Sequence, residues 1–250
     1  MQFFSTRARA ALALSCAAVV TTTVWATPAL ADAVPASGTW SSAVNAGGRA
    51  GSYPAAVTVP AHSTVTVVVV GGGGGGGGGG RWDRDEPALN DYGNGGGGGG
   101  AMTCTWDADQ QTVLDVIVGA GGAGGLNSND NNNRATGGRD GESSSVSQPG
   151  VFTVRGTGGQ GGAIHGMRPS QGGTGEATGV ECTDGAPEHG LRGGTGEEAN
   201  NGVGGRAAED GKLGGRGGDA GFGGGYANRT YTPPTDGQTG GVTISWEADH

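Results

Sequence analysis

Hydrophobic and polar positions alternate along this chain in short bursts, and almost every burst ends in glycine. Val57-Thr58-Val59-Pro60 and Thr64-Val65-Thr66-Val67 place β-branched residues about the turn Ala61-His62-Ser63, the pattern of a hairpin. From Val67 to Val70 the alternation stops. A continuous apolar run predicts a strand covered on both faces, the central strand of the domain. That strand runs straight into ten glycines, Gly71 to Gly80, and after an insert from Arg81 to Tyr92 a second run follows, Gly95 to Gly100. Ala101 to Trp106 and Thr112 to Val118 flank the turn Asp107 to Gln111 as a second predicted hairpin, and its last strand again ends in glycine, Gly119 to Gly125 with Ala120 and Ala123 interposed. Shorter versions follow at Ser143 to Val146 and at Val151 to Val154, which leads into Gly156. Gly241 to Trp246 reads as a terminal strand, and Thr39-Trp40-Ser41 as a short edge strand.

Two readings of the glycine runs compete. Residues without side chains lose the most backbone entropy on folding and bury nothing apolar, the usual recipe for a flexible linker. The rival is polyglycine in an extended left-handed helix of three residues per turn. Such a helix has no internal hydrogen bonds, so every amide needs a partner on a neighbouring segment, and only glycine lets segments approach to backbone contact. Later glycines recur at threes, as packed threefold segments require: Gly190, Gly193 and Gly196; Gly211, Gly214 and Gly217; Gly215, Gly218, Gly221 and Gly224.

Composition adds compartment. Residues 1–31 read as a secretory signal: basic Arg7 and Arg9, an apolar run from Ala10 to Ala18 extended through Val24, then Ala29-Leu30-Ala31. Cys16 lies inside the apolar run instead of closing it, which argues against a lipid anchor. No later stretch reaches the ~18 apolar residues of a membrane span. Cleavage near Ala31 yields a secreted, extracellular chain, released or associated with the cell wall. All 60 glycines fall in this mature part, and losing Arg7 and Arg9 takes the formal charge from -9 to -11. That balance argues against nucleic acid, whose phosphates need clustered Lys and Arg. The two mature cysteines, Cys104 and Cys182, pair most simply as a disulfide in an oxidising compartment, the alternative being two free thiols.

Residues 32–56 form a lead-in, and 57–250 a glycine-rich β domain with loops at 81–94, 126–136, 163–171 and 226–236. Taken in order, Val57 to Pro60, Val65 to Val70 into polyglycine, the second glycine run, Val118-Gly119-Ala120-Gly121-Gly122 and the final Gly241 to Trp246 resemble the glycine-rich domain of many secreted bacterial proteins. The stretch is similar in kind to the glycine-rich region of anaplastic lymphoma kinase receptors and to the tips of some phage tail-fibre adhesins. The resemblance implies an all-β fold, a β-sandwich or jelly-roll-like frame holding a bundle of polyglycine II helices, usually without catalysis. The acidic insert and the thinner region after Gly125 depart from the pattern.

Chemical motifs fall away on inspection. GxGxxG recurs by composition alone, without the strand, helix and downstream acid of a dinucleotide site. Around Lys212 the spacing is one residue too long for a phosphate loop, and Leu213 stands where a hydroxyl should bind magnesium. Gly214 to Asp219 lacks the large apolar residue of a calcium-binding nonapeptide. His62, His165, His189 and His250 are scattered, so no metal or other cofactor is expected. Acids such as Glu181, Asp184 and Glu188 could be paired into a glycosidase site on paper, but with 23 acids that freedom carries no weight. Two non-catalytic classes remain. One is a rigid structural part. The other is an adhesin or carbohydrate-binding module that contacts surface glycans or another surface protein through Arg81, Trp82, Tyr92, Tyr226 and Tyr231, aromatics giving contact area at low entropy cost. Trp82 as a cap on the bundle end is the structural counterpart of that reading. Ice binding and secreted hydrolysis are lesser alternatives.

Overall fold

The computed structural model describes residues 35–42, 53–79, 93–128, 135–164, 169–190, 204–207, 215–221 and 232–248, all within the unit Val34–His250. The expected signal segment, 1–31, lies outside the described residues. Among the described residues the fold is all-β: two antiparallel sheets and no helix. The strands are β1 (Ser37–Ser41), β2 (Tyr53–Val59), β3 (Ser63–Val70), β4 (Ala101–Ala108), β5 (Thr112–Val118), β6 (Ser144–Gln148), β7 (Phe152–Gly156), β8 (Gly175–Thr178), β9 (Asp184–Glu188) and β10 (Gly241–Ala248). The first sheet runs β1-β10-β3-β4-β9 and the second β2-β5-β6-β7-β8.

Neither of the two hairpins expected from the alternation forms. β2 and β3 lie in different sheets, and so do β4 and β5. Alternation specifies which face of a strand is buried, not which strand it pairs with. Val57 and Val59 of the second sheet meet Val65 and Val67 of the first in one core, so the chain crosses that core at the turn instead of folding back beside itself. The crossing is tight. His62 takes a left-handed conformation (φ 52°), and the Ser63 hydroxyl donates to the Pro60 carbonyl at 2.8 Å. A true hairpin forms at β6 and β7, where Gly150 (φ 75°) turns the chain and the Val151 amide donates to Gln148.

β3 is the middle strand of the first sheet, as its apolar run suggests. Its inward residues, Val65, Val67 and Val69, are fully buried, while Val68 on the outer face is half-buried. Cover on both faces arrives only at Val70, which packs with Ala101 and Ala207 at the base of the glycine segments. The terminal strand is β10, paired with β3 from Gly241↔Val70 to Ala248↔Ser63, and β1 forms the edge beyond it. β8 and β9 have no apolar alternation to announce them, and every residue of β9 is exposed.

The inward faces of both sheets share one core, with Leu114, Val116, Val146 and Val154 opposing Val67, Val69, Val242 and Ile244. Trp106 and Phe152 meet across it edge-to-face, ring centroids 5.0 Å apart. Cys104, buried on β4, is joined to Cys182 on the connection between β8 and β9. Thr183 reinforces that link, its amide and hydroxyl both donating to the Thr105 carbonyl. The bridge spans 78 positions and so ties a β8-β9 link to the first sheet across the glycine-rich middle. In the chain-entropy picture it contributes roughly 4–5 kcal/mol.

Two substitutions on β5 test this partition. Leu114 is fully buried and its neighbour Val113 is 53% exposed. In urea unfolding of the oxidised protein, Leu114→Ala is expected to cost about 2–5 kcal/mol, and Val113→Ala less than about 1 kcal/mol.

Candidate functional site

The strands of both sheets continue without a break into glycine-rich segments. β3, β5 and β7 lead out into 71–79, 119–128 and 157–163, while β4, β6 and β10 are entered from 93–100, 135–143 and 234–240. The sheets therefore fix where each segment starts and which way it runs.

Segment 71–79 shows what these segments do. Gly71, Gly74 and Gly77 donate their amides to Gly100, Gly97 and Asn94. Gly72, Gly75 and Gly78 donate to Glu142, Arg139 and Thr136, and Gly73 and Gly76 to Gln238 and Thr235. All eight bonds measure 2.8–2.9 Å, and on each neighbour the acceptor number falls by three as the donor number rises by three. These three neighbours run antiparallel to 71–79. Three parallel neighbours donate in return: Gly122, Gly125 and Ser128 to Gly73, Gly76 and Gly79; Gly159 and Gly162 to Gly72 and Gly75; Gly218 and Gly221 to Gly74 and Gly77. The six neighbours also bond to one another, so parallel and antiparallel segments alternate around 71–79 in a closed ring.

This contact distance excludes side chains. A Cβ added at any position from Gly71 to Gly78 would fall inside the carbonyl oxygen of an adjacent segment, for instance Ala123 at Gly75 and Gln160 at Gly74. None of these glycines has a left-handed φ, so the requirement is for the missing atom and not for backbone freedom. Outer segments carry side chains at the positions that face away. Thr136, Arg139 and Glu142 are exposed at intervals of three while Gly138 and Gly141 face inward.

Around the outside of the ring, side-chain oxygens take the place of carbonyls. Asp140, Asp219 and Asp236 accept the amides of Gly161, Gly204 and Gly124 at 2.7–2.8 Å, and Ser144 accepts that of Gly119. Buried Asn127 accepts the Gly79 amide at 2.7 Å and donates to the Thr232 carbonyl at 2.7 Å. Sequence reading did not single out these residues. Their signal is a polar residue falling in step with a glycine repeat.

Because 71–79, 119–128, 157–163 and 215–221 run away from the sheets and 93–100, 135–143 and 234–240 return, the described residues that flank 80–92, 129–134 and 222–231 stand at the end of the bundle remote from the core. Arg81, Trp82, Tyr92, Tyr226 and Tyr231, the candidate contact residues, lie outside the described residues. Their points of attachment are described, and they meet: Gly93 donates to Gly221, and Asn127 joins Gly79 to Thr232. Of the residues in the loops expected at 81–94, 126–136 and 226–236, Asn94, Ser128, Thr136 and Thr235 make bonds of the bundle. Among the described residues no three His, Cys, Asp or Glu side chains gather as a metal site would require, and no helix is long and apolar enough to cross a membrane.

A family model described as a glycine-rich domain matches residues 48–248, which takes in both sheets beyond β1 and every segment of the bundle. A search of curated proteins found no match.

The packing predicts a contrast between two glycines. Gly75→Ala forces segments apart and is expected to cost at least about 3 kcal/mol. Gly137 is exposed, with its nearest obstacle 3.0 Å away, and Gly137→Ala is expected to stay within about 1 kcal/mol of the parent in the same unfolding assay.

Proposed function

The chain belongs to the glycine-rich domain family, and we propose that it is a secreted or cell-surface, non-catalytic structural and interaction protein. In this reading the segments form a bundle of polyglycine II helices seated on a jelly-roll-like frame, and the bundle holds its far-end loops at a fixed distance from the core. The observation that carries the proposal is the three-residue period of the bonds around 71–79, the period of a threefold helix. The buried Cys104–Cys182 bridge supports an oxidising destination, in keeping with a signal at 1–31.

A second reading draws on the meeting of loop attachments at Gly93, Gly221 and Asn127. There the loops bearing Trp82, Tyr92, Tyr226 and Tyr231 form an adhesive end that contacts glycans or another surface protein, in the manner of the phage-tip and receptor regions the sequence resembles. Rigid loops bind with a smaller loss of entropy than mobile ones, which is the use a stiff bundle would have.

Amide exchange tests the first reading. The amides of 71–79 are expected to be protected as strongly as those of β3, and exchange on the millisecond scale would overturn the packed bundle. Binding to whole cells and to a glycan array tests the second. Trp82→Ala and Tyr92→Ala are each expected to weaken retention at least about tenfold; no retention of the parent protein on any surface leaves the structural role alone.

A further inference from the structure

The outward face of the first sheet has a chemistry of its own. Strand register sets Thr64 between Glu247 and Asp107 in one row across β10, β3 and β4. The next row runs Ser245, Thr66, Thr105 and Asp184. The Thr64 hydroxyl donates to Asp107 at 3.0 Å, and the Thr66 and Thr105 hydroxyls bond each other at 3.0 Å. Neighbours within a row stand about 4.8 Å apart, strand to strand, so the face is a regular grid of hydroxyls interrupted by carboxylates. Its five strands contain four acids and no Lys, Arg or His, although the whole chain has 14 Lys and Arg. Over β1, β10 and β3 the face holds a depression of about 400 Å³, lined by Ser37, Thr39, Thr64, Thr66, Ser245 and Glu247.

We propose that this face binds an amine-bearing polysaccharide, a chain of amino sugars whose nitrogens are unblocked and protonated. Two features select that class. A face whose five strands carry four acids and no Lys, Arg or His complements a positively charged partner. Hydroxyl and carboxylate oxygens on a strand-spaced grid match a ligand that presents hydroxyls at every ring. A basic peptide fits less well. The backbones of β10, β3 and β4 are paired on both sides, leaving no strand edge there, and the depression is lined by hydroxyls and a carboxylate instead of apolar side chains. The surface is separate from the loop end of the bundle, so the two binding readings stand or fall independently.

The test is calorimetric titration of the full oxidised chain at low salt with glucosamine hexamers, with their N-acetylated counterparts and with hexalysine. Saturable binding is expected for the unblocked hexamer, at least about tenfold weaker for the acetylated one, and falling as salt screens the surface charges. Glu247→Gln and Thr66→Val are expected to weaken binding roughly three- to tenfold each, while Arg155→Ala on the second sheet leaves it unchanged. Backbone chemical-shift mapping on the parent protein is expected to place the perturbation on β10, β3 and β4, which keeps the test decisive if a variant fails to fold. No binding of the unblocked hexamer, equal binding of the acetylated one, preference for hexalysine or shifts elsewhere would each overturn the proposal.

Discussion

Amide-to-carbonyl bonds between backbones that carry no side chains are the interaction on which this molecule depends. Each such bond adds only ~0.5–1.5 kcal/mol net, about what fixing one residue's backbone takes away. A lone glycine segment would therefore gain nothing by becoming ordered. Segment 71–79 escapes because five of its six neighbours arrive already aligned, each tied at one end to a strand of a valine-rich core. Hydrophobic burial in the sheets thus supports a region that has almost nothing hydrophobic to bury.

Five of the six directions around 71–79 follow from the sheets beneath them. Strands that leave the core and strands that re-enter it are handed over in turn, so outward and returning segments interleave. A ring with mixed directions satisfies the amides of its centre on three sides and its carbonyls on the other three. The outer boundary is completed differently, by Asp140, Asp219, Asp236 and Asn127 in place of further glycine. Those side chains serve the bundle as caps serve a helix end.

Much of this was legible along the chain. The apolar run of β3, its passage into glycine, the terminal strand at Gly241 to Trp246 and the Cys104–Cys182 pairing all appear in the structure. The inward set Gly215, Gly218 and Gly221 was readable from its period, and Gly218 and Gly221 donate to the central segment. What could not be read was partnership. Val57 to Val59 and Thr64 to Val67 alternate as a hairpin would, yet each answers to a different sheet, because burial of one face leaves the hydrogen-bonding edge unspecified. β9 was invisible for the opposite reason, being held by the ladder to β4 and by the nearby disulfide without any apolar pattern. The residues in step with the glycines were overlooked because a polar side chain in such a tract resembles ordinary loop composition.

The closed ring also has a bearing on how the chain can reach its native state. Gly73 and Gly76 find their acceptors at Gln238 and Thr235, almost at the other end of the sequence. A polypeptide emerging amino end first must hold its longest glycine tract unsatisfied until nearly all the remainder has been delivered. Contacts of such long range are slow to form. The tract itself offers little that a wrong partner could grip, since it has neither apolar side chains nor a β-branched preference for sheet. Delay that would expose a valine-rich segment to aggregation is tolerable for glycine, and the last of the described strands to arrive, β10, is the one that docks beside β3 and closes both the sheet and the ring.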